Sequence, residues 1–169
     1  MTRLGAPPSN LRERALWAFA LLDRHDLSRA AEIWKPDAVD YFLAVGTYRG
    51  RDAIVGYFKE MFAAIPDLRI EVEDVVVEDR RVVVRWTTRG TFDGAPFQGI
   101  NATGRRIELR GIDFIMMDEH GLVVENTIYY DGAGFARQIG MLPAQGSKGD
   151  RAITVAFNTL TRIRQRLGR

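Results

Sequence analysis

The spacing of apolar residues along this 169-residue chain changes near Leu68 from helical to alternating. That change restricts the fold more than any other feature. Upstream of it, apolar side chains recur three and four apart. Downstream, long stretches alternate with a period of two. Helices first and a run of strands afterwards predict an α+β protein rather than repeated βαβ units.

Ser9 or Asn10 can cap a helix from Leu11, with Leu11, Ala15, Leu16, Ala18, Phe19 and Leu22 at helical spacing. Asp26-Leu27-Ser28 is expected to open a second, shorter helix with Leu27, Ala30, Ala31 and Trp34 on its apolar side, stopped by Pro36. Residues 37–45 read as extended. Residues 50–65 predict a third helix carrying Ile54, Tyr57, Phe58, Met61 and Phe62. Strands follow over 68–77, 82–91, 105–117 and 122–130. Gly94, Pro96, Gly99 and Gly104 mark a long hairpin connection. A short helix at 135–139 and a last one at 151–167, with Ile153, Phe157, Leu160, Ile163 and Leu167 on one side, complete the chain. We expect one domain over 1–144 and a helical extension of it over 145–169. A bent antiparallel sheet covered by helices leaves a pocket between the two, the natural place for a ligand.

Several function classes are excluded. The chain has no cysteine, hence no disulfide, thiolate nucleophile or cysteine-based metal site. Apolar residues make up 46% and charged residues 27%, which fits a folded core rather than disorder. The net charge of +2 owes much to Arg162, Arg164, Arg166 and Arg169, which read as a solvated helix face and not a nucleic-acid surface. Residues 1–10 hold one basic residue, Arg3, and no apolar run, so no signal peptide is expected. No apolar stretch nears the roughly 18–20 residues of a membrane span, and a cytoplasmic protein without a membrane partner is expected. His25 and His120 have no companion at ligand spacing, so no metal is expected. There is no glycine-rich phosphate loop and no Gly-x-Ser-x-Gly elbow, and no cofactor is expected.

Strand parity sorts the remaining candidates. Ile107, Leu109, Gly111, Asp113 and Ile115 share a face, on which Asp113 is the single carboxylate. Asn126, Ile128 and Tyr130 share the corresponding face of the next strand. A carboxylate in an apolar cavity has its pKa raised by desolvation, as a general acid/base near neutral pH requires. Asp113 then acts as catalyst, with Asn126 orienting it or holding an enolate oxygen. The other reading is a structural, hydrogen-bonded core carboxylate. Asp40 on its own reads as a surface or turn carboxylate, and Tyr41 as a pocket wall or hydrogen-bond donor. Trp34, Phe58, Phe62, Trp86 and Met117 suit a flat, apolar ligand or a plain core.

Residues 82–91, Val-Val-Val-Arg-Trp-Thr-Thr-Arg-Gly-Thr, resemble the central strand of the SnoaL-like polyketide cyclases. Thr103-Gly104-Arg105-Arg106 with Arg110-Gly111-Ile112-Asp113 resembles their next strand. Gly121 to Glu125, Asp131 and Gln138-Ile139-Gly140 resemble their last strand and closing helix. The likeness spans residues 11–140. It implies a cone-shaped half-barrel, a strongly curved and mostly antiparallel sheet wrapped around N-terminal helices. Nuclear transport factor two, ketosteroid isomerase, scytalone dehydratase and limonene-epoxide hydrolase share that fold. It also implies a homodimer, which the outer residues Val83, Arg85, Thr87 and Arg89 would suit. Asp113 and Ile128 are implied to point into the pocket, and Asp40 and Tyr41 to stand where isomerase-like members place a base and its neighbours. The family's acid/base aspartate falls on Ile128, which cannot transfer a proton. The resemblance therefore implies a cyclase or isomerase using Asp113, an epoxide hydrolase-like use of the same pocket, or a binding module without chemistry.

Overall fold

The computed structural model describes residues 4–167; Arg3 and Arg169 lie outside the described residues. Helix α1 (Leu11–Asp23) starts where the Asn10 side chain accepts from the Glu13 amide at 3.1 Å. Strands β1 (Trp34–Phe42) and β2 (Gly46–Arg49) form a hairpin, followed by helix α2 (Arg51–Ala64). Strands β3 (Arg69–Glu78), β4 (Arg81–Phe92), β5 (Arg105–Met117) and β6 (Val123–Tyr130) come next, then helices α3 (Gly132–Gln138) and α4 (Lys148–Leu167). The fold is α+β, a curved and unclosed sheet of six strands in the order β2-β1-β6-β5-β4-β3. It is mixed, because β1 runs parallel to β6 while every other pair is antiparallel.

The expected second helix is the main departure. Only a 3-10 turn, Ala30–Glu32, forms there, and Trp34 already belongs to β1. The Asp26 side chain accepts from the Ser28 amide at 3.0 Å and hydroxyl at 2.6 Å, a local turn that competes with helix. The Ile33 carbonyl is taken by the Val123 amide at 2.8 Å, so pairing with a strand some ninety residues away overrides helical spacing. Pro36 falls inside β1 rather than ending a helix. The β1–β6 register shifts between Trp34 and Val39, the irregularity a residue without an N–H demands. The hairpin strand β2 was also not foreseen, being only four residues long with no buried position.

The concave face is apolar. Val82, Val84 and Trp86 on β4, Ile107 and Ile115 on β5 and Ile128 on β6 are all buried against Phe19 and Leu22 of α1 and Tyr57, Phe58 and Phe62 of α2. The helices are thus the cover that this face needs. The convex face is largely open. Val76, Ile112, Phe114 and Tyr129 are more than two-fifths exposed there. Thr87, expected on that surface, is instead fully covered: its hydroxyl donates to Glu73, which also pairs with Arg85 at 2.8 Å. Helix α4 buries none of its residues, and Ile153, Phe157, Leu160 and Leu167 stand in solvent. None of the described helices is long and apolar enough to cross a membrane.

Gly111 shows how tightly the concave face is built. A Cβ there would overlap the Trp86 ring and stand 2.7 Å from the Tyr129 carbonyl oxygen. Since the latter is backbone, the strand must shift as well as the ring. We therefore expect Gly111→Ala to cost about 1–3 kcal/mol through overpacking, measured by urea denaturation. An unchanged midpoint would show that ring and strand both adjust at little cost.

Candidate active site

Asp113 faces inward from β5, directly opposite Val84 of β4 and Ile128 of β6. Two donors hold its carboxyl. The Trp86 indole N–H donates to Oδ1 at 2.7 Å, and Asn126 Nδ2 donates to Oδ2 at 2.8 Å. Both donors come from neighbouring strands, so the pleat aims all three side chains at one point. These bonds favour the ionised form, but burial outweighs them and raises the pKa from 3.8 to about 6. A carboxyl with that pKa changes charge just below neutrality.

The cavity in front of Asp113 is lined by Phe42, Tyr57, Phe58, Trp86, Ile128 and Tyr130, with Leu109, Phe97 and Phe135 completing the wall. Its open space is about 100 Å³, less than the roughly 150 Å³ that holds a benzene. A flat ligand of more than one ring therefore needs wall side chains to move. Phe135, on the seven-residue helix α3, is only partly buried, as is Tyr130. Apart from Asp113, the polar lining is the Thr88 hydroxyl, already donating to the Arg69 carbonyl at 2.8 Å, and the phenols of Tyr57 and Tyr130. Burial pushes the Tyr130 phenol up to about 12 and Tyr57 well above its ordinary value, so both are neutral donors at physiological pH.

Asp40 is not a turn carboxylate. It is completely buried on β1, opposite Asn126 of β6. Burial and the nearby charge of Asp113 raise its pKa well above 3.8. The Trp34 indole draws it the other way, but from outside good hydrogen-bond geometry, and neither Asp40 oxygen has a partner. Neither Asp40 nor Asn126 reaches the cavity wall; they stand behind Asp113. Tyr41 points to the opposite face of β1 and is not brought to the site. Trp34, Phe62 and Met117 are core residues away from the cavity, whereas Phe58, Trp86, Ile128 and Tyr130 line it. Sequence reasoning missed Tyr57 as a polar group of the site. Its place on the apolar side of α2 was visible, but the reach of its hydroxyl was not.

A family model described as SnoaL-like polyketide cyclase matches residues 12–139. Among solved structures, the chain resembles a proposed SnoaL-like polyketide cyclase from Jannaschia sp. CCS1. The TM-score is 0.72 at 21% identity, over 85% of this chain and 99% of that one. It also resembles AclR, a proposed hydroxylase from Streptomyces galilaeus, with TM-score 0.67 and 26% identity over 91% and 93%. A third is IdmH, a proposed polyketide cyclase from Streptomyces antibioticus, with TM-score 0.61 and 27% identity over 72% and 92%. No curated protein sequence matches it.

The raised pKa of Asp113 has a consequence for stability. Because its folded-state pKa lies above the unfolded one, the group favours folding fully below about pH 4. That contribution is lost as pH rises through about 6. Asp113→Asn removes the charge and the pH dependence together. The variant should gain on the wild type by an extra 2–3 kcal/mol or so at pH 8 compared with pH 4. Urea titrations at the two pH values check this; an equal difference at both would mean an unperturbed carboxyl.

Proposed function

The chain belongs to the SnoaL-like polyketide cyclase family, and from that premise we propose that it is a cofactor-independent general acid/base enzyme. Its substrate would be a small, largely apolar carbonyl or polyketide-like compound, and its reaction a cyclisation or isomerisation. One observation carries the reading: Asp113 stands directly across the sheet from Ile128. Inward side chains paired in this way lie about 5 Å apart at Cβ. Ile128 is where the family resemblance puts the acid/base aspartate. A carboxyl moved from 128 to 113 shifts by one strand and still addresses the same cavity.

The proposed chemistry follows from the surroundings. The Asp113 carboxylate takes a proton from the carbon beside a carbonyl, and the negative charge moves to the carbonyl oxygen. The neutral Tyr57 and Tyr130 phenols are the available donors for that oxygen. The protonated Asp113 then returns its proton to the product. A pKa near 6 makes the carboxyl both an adequate base and an adequate acid. Apolar walls exclude water that would quench the enolate.

The test needs no natural substrate. Flat apolar ketones with an acidic α-carbon, incubated in deuterated water, should exchange that hydrogen faster with the protein than in buffer. The acid limb of the rate should have a midpoint near 6. Asp113→Asn should slow exchange by about 10²–10⁴-fold while leaving ketone affinity nearly unchanged. Binding without exchange would favour a module that holds ligands without chemistry, and exchange indifferent to Asp113 would reject that carboxyl as the base.

The homodimer expected from the family remains part of this proposal. Its best support is the convex patch, where Val76, Val83 and Phe114 follow one another across the strands beside Ile112 and Tyr129. Light scattering at micromolar concentration should give twice the chain mass, and Phe114→Glu should halve it. A wild-type monomer would reject the dimer.

A further inference from the structure

The site contains an imbalance that the proposed chemistry does not use. Both oxygens of Asp40 and Oδ1 of Asn126 are buried and without a partner. All three are acceptors if Asp40 is ionised, so they cannot satisfy one another. Asp40 and Asn126 are direct neighbours in the parallel β1–β6 register, with side chains on the same concave face. One amide is thus bonded to Asp113 through its Nδ2, while its buried Oδ1 has no partner and its residue is the register neighbour of Asp40.

We propose that Asp40 and Asp113 share one proton through Asn126: Asp40 is held as the neutral acid, donates to Asn126 Oδ1, and so fixes the amide with Nδ2 toward Asp113. An amide has one donor end and one acceptor end. Placed between two carboxyls, it is satisfied when one is ionised and the other neutral, and not when both are ionised. The geometry decides which is which. Asp113 has a second donor, the Trp86 indole, while Asp40 has no bonded donor. The groups acting on the pair come from every side: Trp34 on β1, Asn126 on β6, Trp86 on β4, and the phenols of Tyr57, Tyr130 and Tyr48 clustered nearby. None of these is a cation that could hold Asp40 ionised. Asp40 is thus a positioning residue. It keeps the base oriented and ionised without touching a substrate, and it rests on the reading of Asp113 as that base.

The experiment is a carboxyl-carbon NMR titration of the full chain labelled with ¹³C at aspartate Cγ. It requires no substrate and no turnover, so its failure is separate from a failure of the acid/base reading. Signals are assigned by their loss in Asp40→Asn and Asp113→Asn. In the wild type, Asp40 should stay protonated throughout the range over which Asp113 titrates, with the Asp113 midpoint near 6. Asp40→Asn keeps a donor facing Asn126 and removes no charge, so the Asp113 midpoint should move by no more than a few tenths. Asp40→Leu removes the donor and frees the amide to turn, so the midpoint should rise by roughly a unit. The proposal is overturned if Asp40 ionises within that range. It is also overturned if Asp40→Asn lowers the Asp113 midpoint by about a unit or more, the mark of a lost like charge, or if Asp40→Leu leaves it unmoved. Should Asp40→Leu fail to fold, the wild type and Asp40→Asn decide the matter.

Discussion

Asp113 lies on the concave face of a sheet whose other inward side chains are mostly hydrocarbon. A carboxylate so placed costs several kcal/mol unless donors or a proton meet it. Much of the local structure answers that demand. Trp86 packs its ring against Gly111 while its indole reaches Oδ1, and only glycine leaves room for the ring. Asn126 sits two residue pairs along on β6, opposite Ile115 and on the same face, from where it reaches Oδ2. The two donors hold the carboxyl still, while burial keeps its affinity for a proton near neutrality. Fixed orientation and a tuned pKa are what proton transfer needs, and here they have one origin.

The parallel pairing of β1 with β6 adds a second layer. It places a completely buried carboxyl, Asp40, behind the first, with an amide between them. Two buried acids without a cation are expensive if both ionise and inert if both stay neutral. An intervening amide favours one of each. The layer that lines the cavity is apolar apart from Asp113, Thr88 and two phenols, so the charged part of the site is concentrated at a single point on the wall.

What the sequence revealed and what it hid divide along physical lines. Alternation put Asp113 among Ile107, Leu109, Gly111 and Ile115, and put Asn126 with Ile128 and Tyr130, because strand parity is local and strict. The α+β class followed from the change of period near Leu68. Asp40 could not be placed in the same way. Its burial depends on pairing β1 with a strand more than eighty residues away, and nothing nearby distinguishes an inward Asp40 from a turn residue. The failed helix around Leu27 and the reassignment of Trp34 have the same cause. Aromatic residues were recognised as a class, but Trp34, Phe62 and Met117 went to the core and Phe58 and Trp86 to the cavity, a division set by helix placement rather than residue type. The narrowness of the cavity has no sequence signal at all.

A crystal structure with a bound naphthol, a flat mimic of an enol, tests the central claim most directly. The account places the ring between Phe58, Trp86 and Ile128, its oxygen toward Tyr57 and Tyr130, and a ring carbon against the Asp113 carboxyl, with Phe135 displaced to make room. A naphthol bound elsewhere, or an Asp113 carboxyl turned away from the ring, would contradict it.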